Sequence, residues 1–166
     1  VEAIAKDLRD LYGFETDIVR NPDRKTIYKK IEEYRKKQFG IEDQLLIIFS
    51  GHGEFDESAK IGYFIPKEGL RLDDFGDTYL EYEGLKRRIM SLKCSHIILA
   101  LDACFSGTAD ASIALRGSPG LRPGENALSE RERYIKNCMQ YKSRILLTSG
   151  SKIRTPDKSD FVAKFL

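Results

Sequence analysis

Three short apolar runs constrain this chain more than any other feature: Gln44–Ser50 (QLLIIFS), His96–Ala103 (HIILALDA) and Arg144–Thr148 (RILLT). Each is bounded by turn signals and is solid rather than alternating. Runs of that kind fit strands covered on both faces, as in a parallel sheet. Helical spacing fills much of the rest. Val1, Ile4, Leu8 and Leu11 recur every three or four residues before a stop at Gly13. A second helix opens at Asn21 as N-cap with Pro22 at the first helical position, shows Ile27, Tyr28, Ile31 and Tyr34 on one side, and is ended by Gly40. Helices over 83–92 and 129–141 follow. Phe14–Val19 alternates and reads as a short strand, Ile61–Ile65 as another stopped by Pro66, and 67–79 as loop. Helices alternating with solid strands predict an α/β fold: a mostly parallel sheet with helices on both faces.

Composition narrows the function classes. A length of 166 residues suits one domain, and 41% hydrophobic content is too high for a disordered tail. Lysine and arginine total 28 against 26 acidic residues, so the net charge of +2 gives no argument for a nucleic-acid or membrane-surface partner. No apolar run approaches the ~18 residues of a membrane span. Three cysteines and two histidines show neither CxxC nor zinc-like spacing, which points away from a disulfide scaffold and toward a cytoplasmic protein. The chain opens inside a helical pattern and finishes inside an apolar one, so it is expected to be a piece of a longer polypeptide.

In open parallel sheets, ligands bind beyond the carboxyl ends of the strands. Two chemical signals fall there. QLLIIFS leads into Gly51-His52-Gly53, and HIILALDA leads into Cys104-Phe105-Ser106-Gly107 after Asp102. A thiol nucleophile needs a nearby base to raise its thiolate fraction, and imidazole is the commonest one. Glycines on either side of His52 leave room for a substrate backbone and for a main-chain N–H facing a developing oxyanion. Taken singly, Cys104 reads as a small core residue and His52 as a turn residue. Their matching positions favour a Cys–His dyad.

The pair SGHG and DACFSG resembles the caspase-like cysteine peptidases, especially bacterial and metacaspase-type members. His52 stands about 50 residues upstream of Cys104, the spacing of that family. Asp102 and the tail Phe105-Ser106-Gly107 depart from the animal Q-A-C-[RQG]-G form and match the metacaspase-like branch. The resemblance implies a largely parallel sheet whose first central strand is missing from this chain. It also implies Cys104 as nucleophile and His52 as the group that protonates the leaving amine and assists water. Gly53 and Cys104 would then give the oxyanion-hole N–H groups, and the reaction would be peptide hydrolysis through a thioester.

Asp102 lies two residues before Cys104, so strand alternation points both to one face. A desolvated carboxylate there favours a cationic side chain, and relatives use the matching Asp to floor the S1 pocket. Cleavage after Arg or Lys is therefore expected, the alternative being that Asp102 only caps a turn or pairs with a structural Arg. Residues 108–128 form a Gly/Pro-rich linker within a 1–166 peptidase domain, and Arg116 there is the candidate processing site. No metal or cofactor is assigned. Calcium activation, known in some metacaspases, is conceivable at Asp73, Asp74 and Asp77, whose spacing is not that of an EF-hand. Cys94 and His96 read as packing or surface residues and not as ligands, and Cys138 as core. Expected partners are protein or peptide substrates, with regulatory domains or activators outside this stretch, and neither nucleic acid nor membrane. Two other readings compete: a pseudoprotease that binds without cutting, and a different Cys–His enzyme such as an amidohydrolase.

Overall fold

A computed structural model of the chain describes residues 1–71, 73, 76–104 and 127–149, with the backbone alone at 127–131 and 136. The three apolar runs become β1 (Gln44–Ser50), β5 (His96–Asp102) and β6 (Ser143–Thr148). They form a parallel sheet in the order β1-β5-β6, with Ser50 opposite Asp102 and Leu101 opposite Thr148. Leu99, Ala100 and Leu101 are all fully buried. Successive strand residues point to opposite faces, so both faces of β5 are covered. The expected α/β arrangement with a largely parallel sheet holds.

A second sheet was not anticipated. β2 (His52–Asp56), β3 (Ile61–Ile65) and β4 (Leu80–Glu81) form an antiparallel set in the order β2-β3-β4. The β2–β3 turn is closed by Asp56, whose carboxylate accepts from the backbone N–H groups of Ser58 and Ala59 at 2.8 and 2.9 Å. An Asp bonding the backbone two residues on is a turn-former.

The helices are α1 (Glu2–Tyr12), α2 (Arg24–Lys36), α3 (Tyr82–Met90) and α4 (Ala127–Met139). α1 buries Ile4 and Ala5 and leaves Leu11 exposed. Ile27 and Ile31 of α2 and Leu85 and Ile89 of α3 join β1, β3 and β5 in one core. Each such buried Leu or Ile contributes about 1.5–3 kcal/mol. Among the described residues no helix is long and apolar enough to cross a membrane.

Several boundaries move. The cap of α2 is Asp23, not Asn21: its carboxylate accepts from Thr26 N–H at 2.6 Å, while Asn21 sits at φ 44° two residues before that cap. α4 starts at Ala127, so the linker expected through 128 ends earlier, and Cys138 on that helix is exposed rather than core. Phe14–Val19 forms no strand. A strand exists by pairing, and a cavity of about 930 Å³ lies between these residues and Leu45, Leu46 and Ile48 of β1. Among the described residues β1 pairs with β5 alone.

Arg144 has a structural role that its place at the head of an apolar run did not suggest. Its guanidinium donates to the carbonyls of Met90, Leu92, Cys94, Ser95 and Ser143 at 2.6–3.3 Å. The planar fork thereby ties the α3–β5 connection to the start of β6. Arg144→Ala leaves those carbonyls without their donor, at a cost of about 2–4 kcal/mol. A thermal melt followed by circular dichroism is expected to fall by roughly 5–15 °C. Arg144→Lys recovers only part of it, because one ammonium cannot span the same carbonyls.

Candidate active site

The parallel pairing of β1 with β5 brings the two motif-bearing strand ends side by side. Beyond the last register pair, Gly51 N–H donates to the Asp102 carbonyl at 3.1 Å. The chain then leaves the parallel sheet and enters the antiparallel one. His52 is therefore the first residue of β2, opposite Ile65, and not part of an open loop. Its side chain is exposed, and Cys104 is half-buried one residue beyond the bend that follows β5.

Gly53 is in direct backbone contact with Cys104. A Cβ built on Gly53 would lie 2.1 Å from the Cys104 carbonyl oxygen and 2.3 Å from the Tyr82 phenol oxygen. Tyr82 donates that phenol to the same carbonyl at 2.9 Å. The residue after the histidine and the cysteine thus share one contact, closed by a tyrosine at the start of α3. Tyr82 was missed in the sequence, where it reads as one more aromatic. The only available signal is that a buried tyrosine hydroxyl usually needs a partner.

Asp102 is 8% exposed and is the one buried charged residue among those described. Its Oδ1 has no hydrogen-bond partner among them. Alternation does not carry on from Asp102 to Cys104 as expected, because β5 ends at Asp102 and the chain bends at Ala103. The two residues remain neighbours through that bend.

A family model, the caspase domain, matches residues 1–162. The chain belongs to the caspase domain family. No curated protein and no solved structure matches it. As a caspase domain it is a cysteine peptidase, a hydrolase of peptide bonds that acts on protein or peptide substrates.

The remaining candidates sit elsewhere in this caspase domain. Cys94 is buried and its thiol lies 3.3 and 3.2 Å from the carbonyls of Asp43 and His96. His96 Nε2 lies 3.1 Å from the Met139 carbonyl. Both are packing residues, as expected. Asp73 Oδ2 accepts from Thr78 N–H and Oγ1 at 2.7 and 2.5 Å, which makes it a turn-former. Among the described residues no three His, Cys, Asp or Glu side chains gather as a metal site would require. Asp74, Arg116 and residues 108–126 lie outside the described residues.

Proposed function

We propose that residues 1–166 act as a cytoplasmic caspase-like endopeptidase that cuts after Arg or Lys, with Cys104 as nucleophile and His52 as its acid–base partner. The observation that carries the reading is the contact of the Gly53 backbone with the Cys104 carbonyl, which brings the strand of the imidazole against the residue of the thiol. The buried Oδ1 of Asp102, which has no hydrogen-bond partner among the described residues, supports the basic specificity. A cationic side chain entering beside it would give that oxygen the charge-assisted bond it lacks, whereas an acidic one would meet a like charge.

The steps use only groups of this chain, the peptide and water. Cys104 gives its thiol proton to His52 as Sγ attacks the scissile carbonyl carbon, and the oxygen becomes an oxyanion facing the N–H groups of Gly53 and Cys104. The C–N bond breaks as His52 delivers a proton to the departing amine, leaving a thioester. Water adds to the thioester with His52 taking its proton, and the C–S bond breaks. The acid leaves and the thiol is restored. No cofactor enters this scheme, and calcium activation would act outside the chemistry. Basic residues at Arg116 and Arg122 suit an enzyme of this specificity, so we extend the reading to a latent form processed there and held by regulatory domains or activators.

A fluorogenic library varied at P1, run beside Cys104→Ala, tests the proposal. Arg and Lys peptides are expected to be cut, Asp peptides ignored, and Cys104→Ala inactive. A preference for Asp at P1 would overturn the specificity. A chain that binds peptides but never labels at Cys104 with an arginyl chloromethylketone would be a pseudoprotease. Mass spectrometry of the same two samples is expected to show cleavage after Arg116 only with Cys104 present.

A further inference from the structure

We infer that Tyr82 is a positioning residue for the nucleophile: its hydroxyl pins the Cys104 carbonyl and so fixes Cys104 against the strand that carries His52. This rests on the reading of Cys104 as nucleophile.

The placement is built by backbone pairing. Gly53 of β2 pairs with Phe64 of β3, and Phe64 pairs with Leu80 of β4. Tyr82 follows β4 directly and opens α3, so its Cα is held to the antiparallel sheet. Its ring is 1% exposed within the core. The hydroxyl reaches back across the row to the Cys104 carbonyl, beyond the end of the parallel sheet, at 2.9 Å. The same oxygen lies 2.3 Å from where a Gly53 Cβ would stand. One atom therefore touches both sides of the site.

A phenylalanine would fill this apolar position without placing a polar group in the core, and a buried hydroxyl is tolerated only when bonded. Here its bond goes to the carbonyl of the nucleophilic residue. Burial, with the nearby Cys104 as a smaller cause, pushes the phenol well above its ordinary pKa, so it stays a proton donor throughout the working range. Rotation of the Cys104 carbonyl is rotation about the Cα–C bond of the residue whose sulfur must meet the imidazole. A misplacement of about 1 Å at a reacting centre can reduce rate by up to roughly 100-fold.

The test compares wild type with Tyr82→Phe, which removes one oxygen, and Tyr82→Leu, which removes the same oxygen and much of the ring. Rates are normalised to the folded fraction measured by circular dichroism. Both variants are expected to lose roughly 10-fold in kcat with KM within about twofold. Alkylation of Cys104 by iodoacetamide is expected to slow in parallel. Wild-type kcat and alkylation rate in folded Tyr82→Phe would overturn the inference. So would a loss that tracks ring size, absent in Phe and present in Leu, which would mark a packing role. A wild-type chain that turns over no peptide would defeat the peptidase reading, while the alkylation rates still report on Tyr82.

Discussion

Gly53→Ala is expected to abolish peptide turnover, with kcat/KM down by roughly 100-fold or more. The added methyl would stand 2.1 Å from a backbone oxygen and 2.3 Å from the Tyr82 hydroxyl. The Cys104 carbonyl can turn aside only by rotating that residue's own backbone, so either β2 shifts away from the end of β5 or Cys104 itself is displaced. Overpacking of this kind typically costs about 1–3 kcal/mol, which a folded domain can survive. The His52-to-Cys104 geometry is then the property that fails. Gly51→Ala is the control, because its methyl meets the edge of the Phe64 ring at 3.1 Å. That ring can give by a few tenths of an ångström, and a loss below about tenfold is expected. Steady-state assays of both variants, with melting curves beside them, make the comparison. Gly53→Ala within about threefold of wild type would show that close contact between the two strand ends is not needed.

Asp102→Asn is expected to separate activity from stability. The carboxylate is buried, and its Oδ1 has no partner among the described residues. An unsatisfied buried acceptor costs about 1–3 kcal/mol, and more when charged. An amide of the same shape relieves part of that, so the melting temperature is expected to stay level or rise. Activity moves the other way. Removing one partner of a buried charge pair costs about 2–5 kcal/mol, and each 1.4 kcal/mol is tenfold. The kcat/KM for Arg and Lys peptides should therefore fall by roughly 30- to 4000-fold. If Asp102 merely held a turn, the pattern would invert, with lower melting temperature and retained preference for basic residues. Parallel measurement of melting and P1 profile distinguishes the two.

The central strands could be read from the chain because their signal is local. QLLIIFS and HIILALDA carry their burial in their composition, and the rule that sites lie at strand ends then selected His52, Asp102 and Cys104. What escaped reading depends on partners. HGEFD is neither solid nor cleanly alternating, and it becomes a strand because IGYFI lies antiparallel to it. Phe14–Val19 alternates well yet forms no strand, since it faces a cavity instead of a neighbour. Asn21-Pro22 carries a sound capping signal, but Asp23 competes for the same role with a better acceptor. Arg144 and Tyr82 act through carbonyls distant in sequence, and a carbonyl leaves no trace in a residue pattern.

The thiol and the imidazole ride on different sheets. β5 delivers Cys104, and β2 delivers His52 from the antiparallel set. On the roles proposed for them, the reactive gap is a seam between two plates, joined at Gly51, Gly53 and Tyr82. A tilt of one plate by an ångström would open that seam with every ladder hydrogen bond intact. Switching such an enzyme off asks for no melted segment and no blocking peptide, only a small change of angle.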